Sequence, residues 1–433
     1  MGKCRRKSSP IIRGCQNLFI KYFSMPDSFY GGLDFGTSGA RISIINPDKK
    51  LVYSNSVPYS YSFKNPNSWI NSCENLLVSL PIELKISLNK LAISGTSGTL
   101  IASNLKGEPL GEAIPYDQAC IEHKIHLESL TSGEDHLRTP YSSLAKALKL
   151  IDRYGTNILL RHQSDWITGW FLKDWTHGEE GNNLKLGWDL KKESWPKSYL
   201  NTSWQKCLPQ IVKSGKIIEQ VNFDLADKLN LNKKLLLISG TTDSNASLIA
   251  AGLGKEDGLT VLGTTIVVKK IIDNPIKEQG ITTHRVNGDW ICGGASNAGC
   301  GILSKFFSDL EIKELSRQIN PSKNTSLNLL PLNSKGERFP INNSNLEPIL
   351  GPRPVSDSLY LQALFEGLAK IELKGWDKLG KLTGSLPKKI ITIGGGSKNP
   401  QWRKIREKTI NIPIVSCSRT TSFGTALLAI NSK

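Results

Sequence analysis

Short apolar runs that end in small polar residues dominate the chain and predict buried β-strands. One run ends at Asp34, and a GTSG turn at residues 36–39 leads into a second run at residues 42–45. A polar turn follows, and residues 51–54 continue the pattern. The opening part of the chain therefore predicts an antiparallel meander of three strands.

Longer segments with an apolar residue at every third or fourth position predict helices. The helix at residues 69–80 is expected to cover one face of the opening meander. A buried strand at residues 235–238 runs through a polar SGTT segment into a helix of small residues at 245–251. The other predicted helices lie at residues 142–154, 165–172 and 357–373, and the other predicted strands at residues 90–93, 100–103 and 389–393.

The strand–turn–strand pattern of the opening residues recurs in the second half of the chain. Residues 258–262 lead into a GTT turn at residues 263–265, and residues 266–268 leave it. Glycines let a turn backbone approach a bulky anion, and Thr and Ser add donors that suit phosphate oxygens. For either turn alone, the alternative to a phosphate-binding turn is an ordinary hairpin turn. The pair predicts two related halves whose phosphate-binding turns face each other across a cleft.

Asp243 lies where a buried strand gives way to a helix. Loops at strand ends commonly carry the chemistry of α/β folds. The alternative is that Asp243 or Ser244 is simply the N-cap of the helix. Since a helix N-terminus favours an ionised carboxylate, a cap and a general base are compatible.

A glycine-rich turn at residues 394–396 precedes a helix with Asn399 as its expected N-cap and Pro400 at its first position. With an exposed indole at Trp402, these features predict a slot for a flat base. The alternative is that Trp402 packs in the core.

Two loops also have alternative interpretations. The small residues at 94–99 are consistent with a backbone that lines a cavity or with an ordinary turn. The polar segment at residues 175–209 carries three tryptophans and predicts either a binding lid or surface packing.

Length and composition limit the possible classes of protein. At 433 residues the chain exceeds the usual size of one core, so two domains of about 200 residues are expected. No apolar run approaches the ~18 residues that span a bilayer, so we expect no membrane partner. The net charge of the chain is +17. Six basic residues in residues 1–24 contribute +6 of this charge, and the remaining charge is scattered along the chain, so we predict no nucleic-acid partner.

The eight cysteines lie without C-x-x-C spacing, and the six histidines form no metal-binding pattern. Such thiols fit the reducing cytoplasm rather than a disulfide framework or a zinc site. Residues 1–24 are basic, and their apolar stretch is too short for a secretory signal. Met25 lies just before the first strand, so we expect either that it is the native start or that the preceding segment is disordered. We divide the chain into an extension at residues 1–27 and domains at residues 28–250 and 251–433, with a last helix that could return to the first domain.

Four motifs resemble those of the FGGY carbohydrate kinases, in the actin-like ATPase superfamily. DFGTSGAR resembles the first phosphate motif of that family, SGTTDSNAS the catalytic segment, GLTVLGTT the second phosphate motif, and IGGGSKNPQW the adenosine motif. The resemblance extends from Tyr30 to Ile430. It implies an α/β fold of two RNase H-like domains, each a mixed sheet with helices, with ATP and a sugar bound in the cleft between them.

The resemblance also implies roles for individual residues. Asp243 would be the general base that takes the proton from the sugar hydroxyl, and Ser97 would touch the sugar. Asp34 would contact the substrate and, through water, the Mg²⁺ on ATP. The phosphates would be bound by Thr37, Ser38, Gly263, Thr264 and Thr265, and the adenosine by Gly395, Gly396, Asn399 and Trp402. Such an enzyme would act as a monomer or a homodimer.

The sugar-side loop departs from the usual family pattern. Many members have a GQMHG loop, whereas this chain has GTSGT at residues 95–99, with GNNLKLGWD at residues 181–189. Both segments resemble a compact branch in cyanobacteria and plants that is associated with ketopentoses. The implied reaction is ATP-dependent phosphorylation of D-ribulose to D-ribulose 5-phosphate, with D-xylulose or a polyol as the alternative substrate.

A non-catalytic, nucleotide-gated sugar sensor with the same fold is the alternative of another class. A sensor needs no general base, so the presence of Asp243 favours catalysis. The G-x-S-x-G pattern of hydrolases and the P-loop pattern G-x-x-x-x-G-K-[ST] are both absent from the sequence.

Overall fold

The computed structural model of the chain describes residues 28–131 and 137–432. The expectations for residues 1–27, including a start at Met25, lie outside this described part of the chain. Within the described part, none of the helices combines the length and the apolar character needed to cross a bilayer.

The first half of the described chain forms one six-stranded mixed sheet with helices on both faces and two small two-stranded sheets, the first of the fifth and sixth strands and the second of the seventh and eighth. Its elements in chain order are β1 (Phe29–Phe35), β2 (Gly39–Ile45), β3 (Leu51–Pro58), α1 (Pro66–Val78), α2 (Ile82–Ile86), β4 (Leu88–Gly95), β5 (Leu100–Ser103), α3 (Lys124–Leu130), α4 (Ser143–Tyr154), β6 (Leu159–His162), α5 (Gln163–Leu172), β7 (His177–Glu179), α6 (Glu180–Asn183), β8 (Gln210–Val212), β9 (Ile217–Gln220), α7 (Phe223–Leu229), β10 (Leu236–Thr242) and α8 (Asp243–Ala251). The strand order is β3-β2-β1-β4-β10-β9. β1, β2 and β3 pair antiparallel, which confirms the predicted meander.

The second half repeats this arrangement. Its elements are β11 (Asp257–Leu262), β12 (Ile266–Ile272), β13 (Thr282–Val286), β14 (Asp289–Ala295), α9 (Cys300–Leu303), α10 (Asp309–Ser316), α11 (Asp357–Thr383), β15 (Lys389–Ile393), α12 (Pro400–Ile410), β16 (Ile414–Ser416) and α13 (Thr421–Ile430). The strand order is β13-β14-β12-β11-β15-β16. In the first sheet, three antiparallel strands continue into the parallel strands β4 and β10. In the second sheet, the four antiparallel strands β13, β14, β12 and β11 continue into the parallel strands β15 and β16. The predicted α/β fold of two related mixed sheets is confirmed.

The alternation of side chains along β1 gives the first sheet two different faces. Leu33 and Phe35 join a buried cluster with Trp69 of α1. Gly32 lies on the opposite face, where a Cβ atom would come within 2.2 Å of the backbone of Ala426 in α13. Glycine at this position therefore lets α13 pack directly on β1, the strand that carries Asp34.

Helix α8 lies between the two sheets. Leu248 packs with Leu259 and Ile391 of the second sheet. Ala250 packs with Phe423 of α13 and Ile45 of the first sheet. The helix that begins at Asp243 is therefore held by apolar contacts of its carboxyl-terminal half with both halves of the molecule.

The structure favours one of two predicted alternatives for residues 175–209, and it makes one helix longer than predicted. The aromatic side chains of residues 175–209 pack on one another, with Tyr199 and Trp204 at a ring-centroid distance of 4.8 Å, which favours packing over a lid. Helix α11 continues ten residues beyond the predicted end at residue 373. Trp376, in this extension, is fully buried, so packing prolongs the helix past Gly375.

Candidate active site

A cavity of about 830 Å³ lies in the second half of the molecule. It lies beside the turn between β11 and β12 and at the amino end of α12. Six of the residues predicted to bind nucleotide line it, namely Gly263, Thr264, Gly395, Gly396, Asn399 and Trp402. Thr265 lies next to this lining, at the carboxyl side of the turn, where its carbonyl accepts a hydrogen bond from Gly263 N at 3.1 Å.

The glycine-rich turn after β15 shapes one wall of the cavity. A Cβ atom on Gly396 would lie 2.5 Å from the Trp402 ring and 2.9 Å from Cys300 Sγ, so any larger residue would displace them. A Cβ atom on Gly395 would meet no protein atom within 4 Å. The backbone at Gly395 is therefore open to a ligand, while Gly396 is needed for packing.

Asn399 is the N-cap of α12, as the sequence predicted. Its Oδ1 accepts hydrogen bonds from the backbone N–H groups of Gln401 at 3.1 Å and Trp402 at 3.0 Å. Its Nδ2 donates to Ser316 Oγ at 2.7 Å. The Asn399 amide thus fixes the start of α12 and ties it to α10 on the other side of the cavity.

The expectation of an exposed indole at Trp402 is wrong. Trp402 is 1% exposed, and its ring stacks on Phe365 of α11 with centroids 4.9 Å apart and planes 7° from parallel. Burial of the indole against Phe365, which lies on another helix, explains the difference. Because little of the ring is accessible, any contact with a ligand in the cavity would be made by its edge rather than by a free face.

Asp34 lies at the end of β1 and is 2% exposed. Ser94 Oγ donates to its Oδ1 at 3.1 Å, and Arg41 Nη1 lies 3.3 Å from its Oδ2. Ser94 Oγ also lies 2.8 Å from Thr425 Oγ1 of α13. Burial, with the nearby Asp243 carboxylate as a second cause, raises the pKa of Asp34 from 3.8 to about 6.

The turn after β1 closes with a hydrogen bond from Gly36 N to Gly39 O at 3.0 Å. Tyr59 Oη donates to Gly36 O at 2.8 Å and holds the turn against β3. Thr37 and Ser38 are exposed at its tip and do not line the cavity of the second half. Their side chains remain available to a ligand from outside.

Asp243 is the first residue of α8, and the N-cap is Thr242, whose side chain accepts from Asn245 N. The alternative that Asp243 or Ser244 is the N-cap is therefore wrong. Burial raises the pKa of Asp243, while hydrogen bonds from the backbone N–H groups of Ser244 and Ser97 favour its ionised form. The structure thus brings Asp243 and Ser97 together, and their mutual effect on pKa places Asp34 nearby.

Two lysines that the sequence reasoning did not select also act on Asp243. The charges of Lys185 and Lys269 lower its pKa, against the effect of burial. Lys185 Nζ donates to Ser97 O at 2.9 Å, and Lys269 Nζ donates to Ser244 Oγ at 2.7 Å. Two features of the sequence could have identified these lysines. Lys269 interrupts the apolar run of β12, and Lys185 lies in the GNNLKLGWD segment.

These residues can do two things chemically. The Asp243 carboxylate, which accepts from two backbone N–H groups and is stabilised by the charges of two nearby lysines, can accept a proton from a hydroxyl group. The cavity beside the second turn, with glycine backbone and a helix N-terminus, suits a ligand that has a flat ring and an anionic chain. Together they fit the transfer of a charged group to an alcohol.

Known proteins resemble this chain over most of its length. Residues 258–432 match the profile of the FGGY family of carbohydrate kinases, C-terminal domain. A xylulose kinase of Lactococcus lactis subsp. lactis (strain IL1403) is 23% identical over 423 residues, which cover 89% of this chain and 83% of that protein.

Solved structures show the same fold. A ligand-bound xylulose kinase from Lactobacillus acidophilus has a TM-score of 0.78 at 18% identity, covering 93% of this chain and 89% of that one. Plasmodium falciparum glycerol kinase with ADP has the same TM-score of 0.78, identity of 18% and coverage of 93% and 89%. With the profile match over residues 258–432 and the shared fold, the conclusion is that the second half of this chain is a C-terminal domain of the FGGY family of carbohydrate kinases.

Proposed function

We propose that the chain phosphorylates the terminal hydroxyl of a ketopentose with ATP. The observation that carries this proposal is the buried Asp243 carboxylate at the amino end of α8, between the two sheets and beside Ser97. A nucleotide in the 830 Å³ cavity would bring its phosphates toward the turn at Gly263.

The proposed reaction needs one base and a set of donors. Asp243 accepts the proton from the terminal hydroxyl, and the oxygen of that hydroxyl forms a bond to the γ-phosphorus of ATP. The bond from this phosphorus to the oxygen that bridges it to the β-phosphorus breaks, and ADP leaves. Ser97 positions the sugar beside Asp243, while Thr37, Ser38, Thr264 and Thr265 donate to phosphate oxygens.

The residues present also fit a magnesium ion that arrives with ATP. Mg²⁺ prefers carboxylate oxygens, phosphates and water, and commonly takes one or two carboxylates. Asp34 offers such a carboxylate beside the first turn, with one oxygen lying 3.3 Å from Arg41. Bound there through water, the ion would neutralise charge on the phosphates.

Two ketopentoses are the candidate substrates, and they are epimers at one carbon. The GTSGT loop supports D-ribulose as the first candidate. The xylulose kinases among the relatives support D-xylulose as the second. Since the loop backbone at Ser97 and Gly98 is held by Lys185 and Lys146, its shape is a fixed part of the sugar site.

An ADP-release assay over D-ribulose, D-xylulose, xylitol, ribitol and glycerol tests the proposal. We expect ADP formation that depends on a ketopentose, with the highest kcat/KM for D-ribulose. ATP turnover that no sugar or polyol changes would instead indicate the sensor alternative. The Asp243→Asn variant is the control, and we expect it to bind ATP and to turn over at least ~100-fold more slowly.

We place this reaction in the cytoplasm. All six cysteines of the described residues carry free thiols. Free thiols are the usual state in a reducing compartment. Comparison of activity in reducing and oxidising buffer would test this placement, since we expect no gain from oxidation.

A further inference from the structure

Lys269 is a buried cation on the inner part of the second sheet. It lies on β12, where it pairs with Leu259 of β11 and Gly293 of β14, and it is 6% exposed. Removing an ammonium group from water costs several kcal/mol unless other groups compensate for the lost hydration. A lysine at this position therefore needs an explanation from its neighbours.

The neighbours of Lys269 lie on helix α8. Its Nζ donates to Ser244 Oγ at 2.7 Å, and its charge acts on the adjacent Asp243 carboxylate. Burial lowers the pKa of Lys269 to about 8, while Asp243 raises it and Lys185 lowers it. No carboxylate of the described residues lies within 4.0 Å of Nζ, so the attraction to Asp243 acts over a longer distance and the direct contact is the Ser244 hydroxyl.

Lys270, the next residue on the same strand, shows what a structural lysine does in this sheet. It is 4% exposed and contacts Thr383 Oγ1, at the end of α11, at 3.2 Å and Ser385 Oγ, just beyond that end, at 2.8 Å. Successive residues of a strand point to opposite faces, so Lys270 lies away from α8. The two lysines therefore match in burial and differ in what they contact.

We infer that Lys269 is a positioning residue for the general base, which fixes the amino end of α8 through Ser244 and supplies the second sheet's positive charge to Asp243. This inference rests on the proposed function of Asp243 as the base. It adds a specific task for the second domain besides nucleotide binding, because β12 belongs to the sheet that forms the cavity.

Other groups also act on Asp243, and they come from the first half of the chain. Lys185 follows α6, and Asp34 ends β1. The pKa of Tyr116 is raised by burial and also by the Asp243 charge, so its ring lies near enough to count among these groups. The N–H groups of Ser97 and Ser244 complete the set. Lys269 differs from all of these because its strand belongs to the other sheet.

Kinetics of three variants separate a positioning role from a structural one. In Lys269→Met, we expect kcat at neutral pH to fall about tenfold, with KM for ATP unchanged. The acid limb of the kcat profile should move up by about one pH unit, because an opposite charge at this range lowers a carboxyl pKa by ~1–3 units. Lys269→Arg should restore the limb, and Lys270→Met should keep the wild-type profile. An acid limb in Lys269→Met equal to that of the wild type would overturn the inference.

A titration that needs no turnover provides an independent test. In protein labelled with ¹³C at lysine Cε, the Lys269 signal is identified by its absence in Lys269→Met. We expect its titration midpoint to fall in Asp243→Asn, because the anion that stabilises the ammonium is removed. An unchanged midpoint would overturn the inference. Absence of any sugar-dependent ADP formation by the wild type would instead overturn the proposed function, while the NMR result still reports the electrostatic interaction between Lys269 and Asp243.

Discussion

The two strand–turn–strand hairpins have similar sequences and different surroundings. The first, β1 and β2, ends β1 with the buried carboxylate of Asp34, two residues before the turn. The second, β11 and β12, has Val261 at the corresponding position and borders the 830 Å³ cavity. The same local pattern therefore ends in a buried carboxylate in one half and borders the cavity in the other, which fits the proposed metal-side role of the first hairpin and the proposed nucleotide-side role of the second.

The strands that lead into the two turns are also anchored by different carboxylates. On the second side, Glu372 of α11 accepts from Arg406 Nε at 2.6 Å and Nη2 at 2.7 Å, and from Thr260 of β11 at 2.6 Å. On the first side, Asp34 has one 3.3 Å contact with Arg41 and one hydroxyl donor. A carboxylate whose oxygens are saturated by close donors stabilises the fold, whereas one with weaker contacts can still bind a ligand.

The largest expected effect is on the second side. Replacing Glu372 with Gln leaves the Arg406 guanidinium buried without its anion, and breaking such a pair typically costs ~3–5 kcal/mol. We expect a loss of this size in the free energy of urea unfolding. Glu366→Gln, on the same helix, is the control. Glu366 accepts from the neutral donors of Thr325 and Gln362, so a smaller loss is expected, and equal losses would contradict the distinction.

The next effect concerns Asp34 and pH. Its pKa is raised on folding, so the folded state binds the proton more tightly, and stability from this group is present below pH 3.8 and lost as pH rises through 6. The full span is about 3 kcal/mol at 1.36 kcal/mol per pKa unit. We therefore expect Asp34→Asn to flatten the fall in stability between pH 4 and 7, measured by urea unfolding without nucleotide or Mg²⁺. A wild-type curve that rises through this range in parallel with the variant would contradict it.

The Asp34→Asn substitution should lower the rate of catalysis, although it should reduce the loss of stability between pH 4 and 7. Loss of a carboxylate that orients metal-bound water commonly costs ~10–100-fold in activity or metal affinity. We expect turnover near the upper end of this range and a higher Mg²⁺ concentration for half-maximal rate, with the fold retained. Wild-type turnover at all Mg²⁺ concentrations would remove Asp34 from the site.

The smallest expected effect is steric and confined to the nucleotide side. Gly395→Val would point into open space in the cavity, so we expect the thermal midpoint to stay unchanged and ATP binding to weaken about tenfold, or ~1.4 kcal/mol. Gly396→Val is the matched variant, and it should lower the thermal midpoint because it meets Trp402 and Cys300. Calorimetry with ATP and thermal unfolding measure both quantities. Equal ATP affinity in Gly395→Val and wild type would place the nucleotide elsewhere.

Local patterns predicted the fold well. Both hairpins, the relation between the two halves and the N-cap at Asn399 follow from apolar alternation, turn glycines and capping chemistry, which act over a few residues. Helix α11 was underestimated because Gly375 weakens the local helical pattern, and burial of Trp376 offsets this weakness.

The parts of the site that were missed depend on distant contacts. Trp402 is buried by Phe365, which lies on another helix, so no local pattern could reveal it. Lys185 and Lys269 reach Asp243 from different parts of the chain. The cap at Thr242 rather than Asp243 differs by one residue, which is within the usual ambiguity of helix ends.

The contact of α13 with β1 has a consequence for protein synthesis. Ser94 binds Asp34 and also contacts Thr425, so the environment of this aspartate includes a helix near the opposite end of the sequence. While the ribosome is still translating the second half, one face of the first sheet lacks this cover. A nascent or prematurely terminated chain without residues 421–430 therefore lacks the contact between Thr425 and Ser94. The fold in this way makes the surroundings of Asp34 depend on the synthesis of α13.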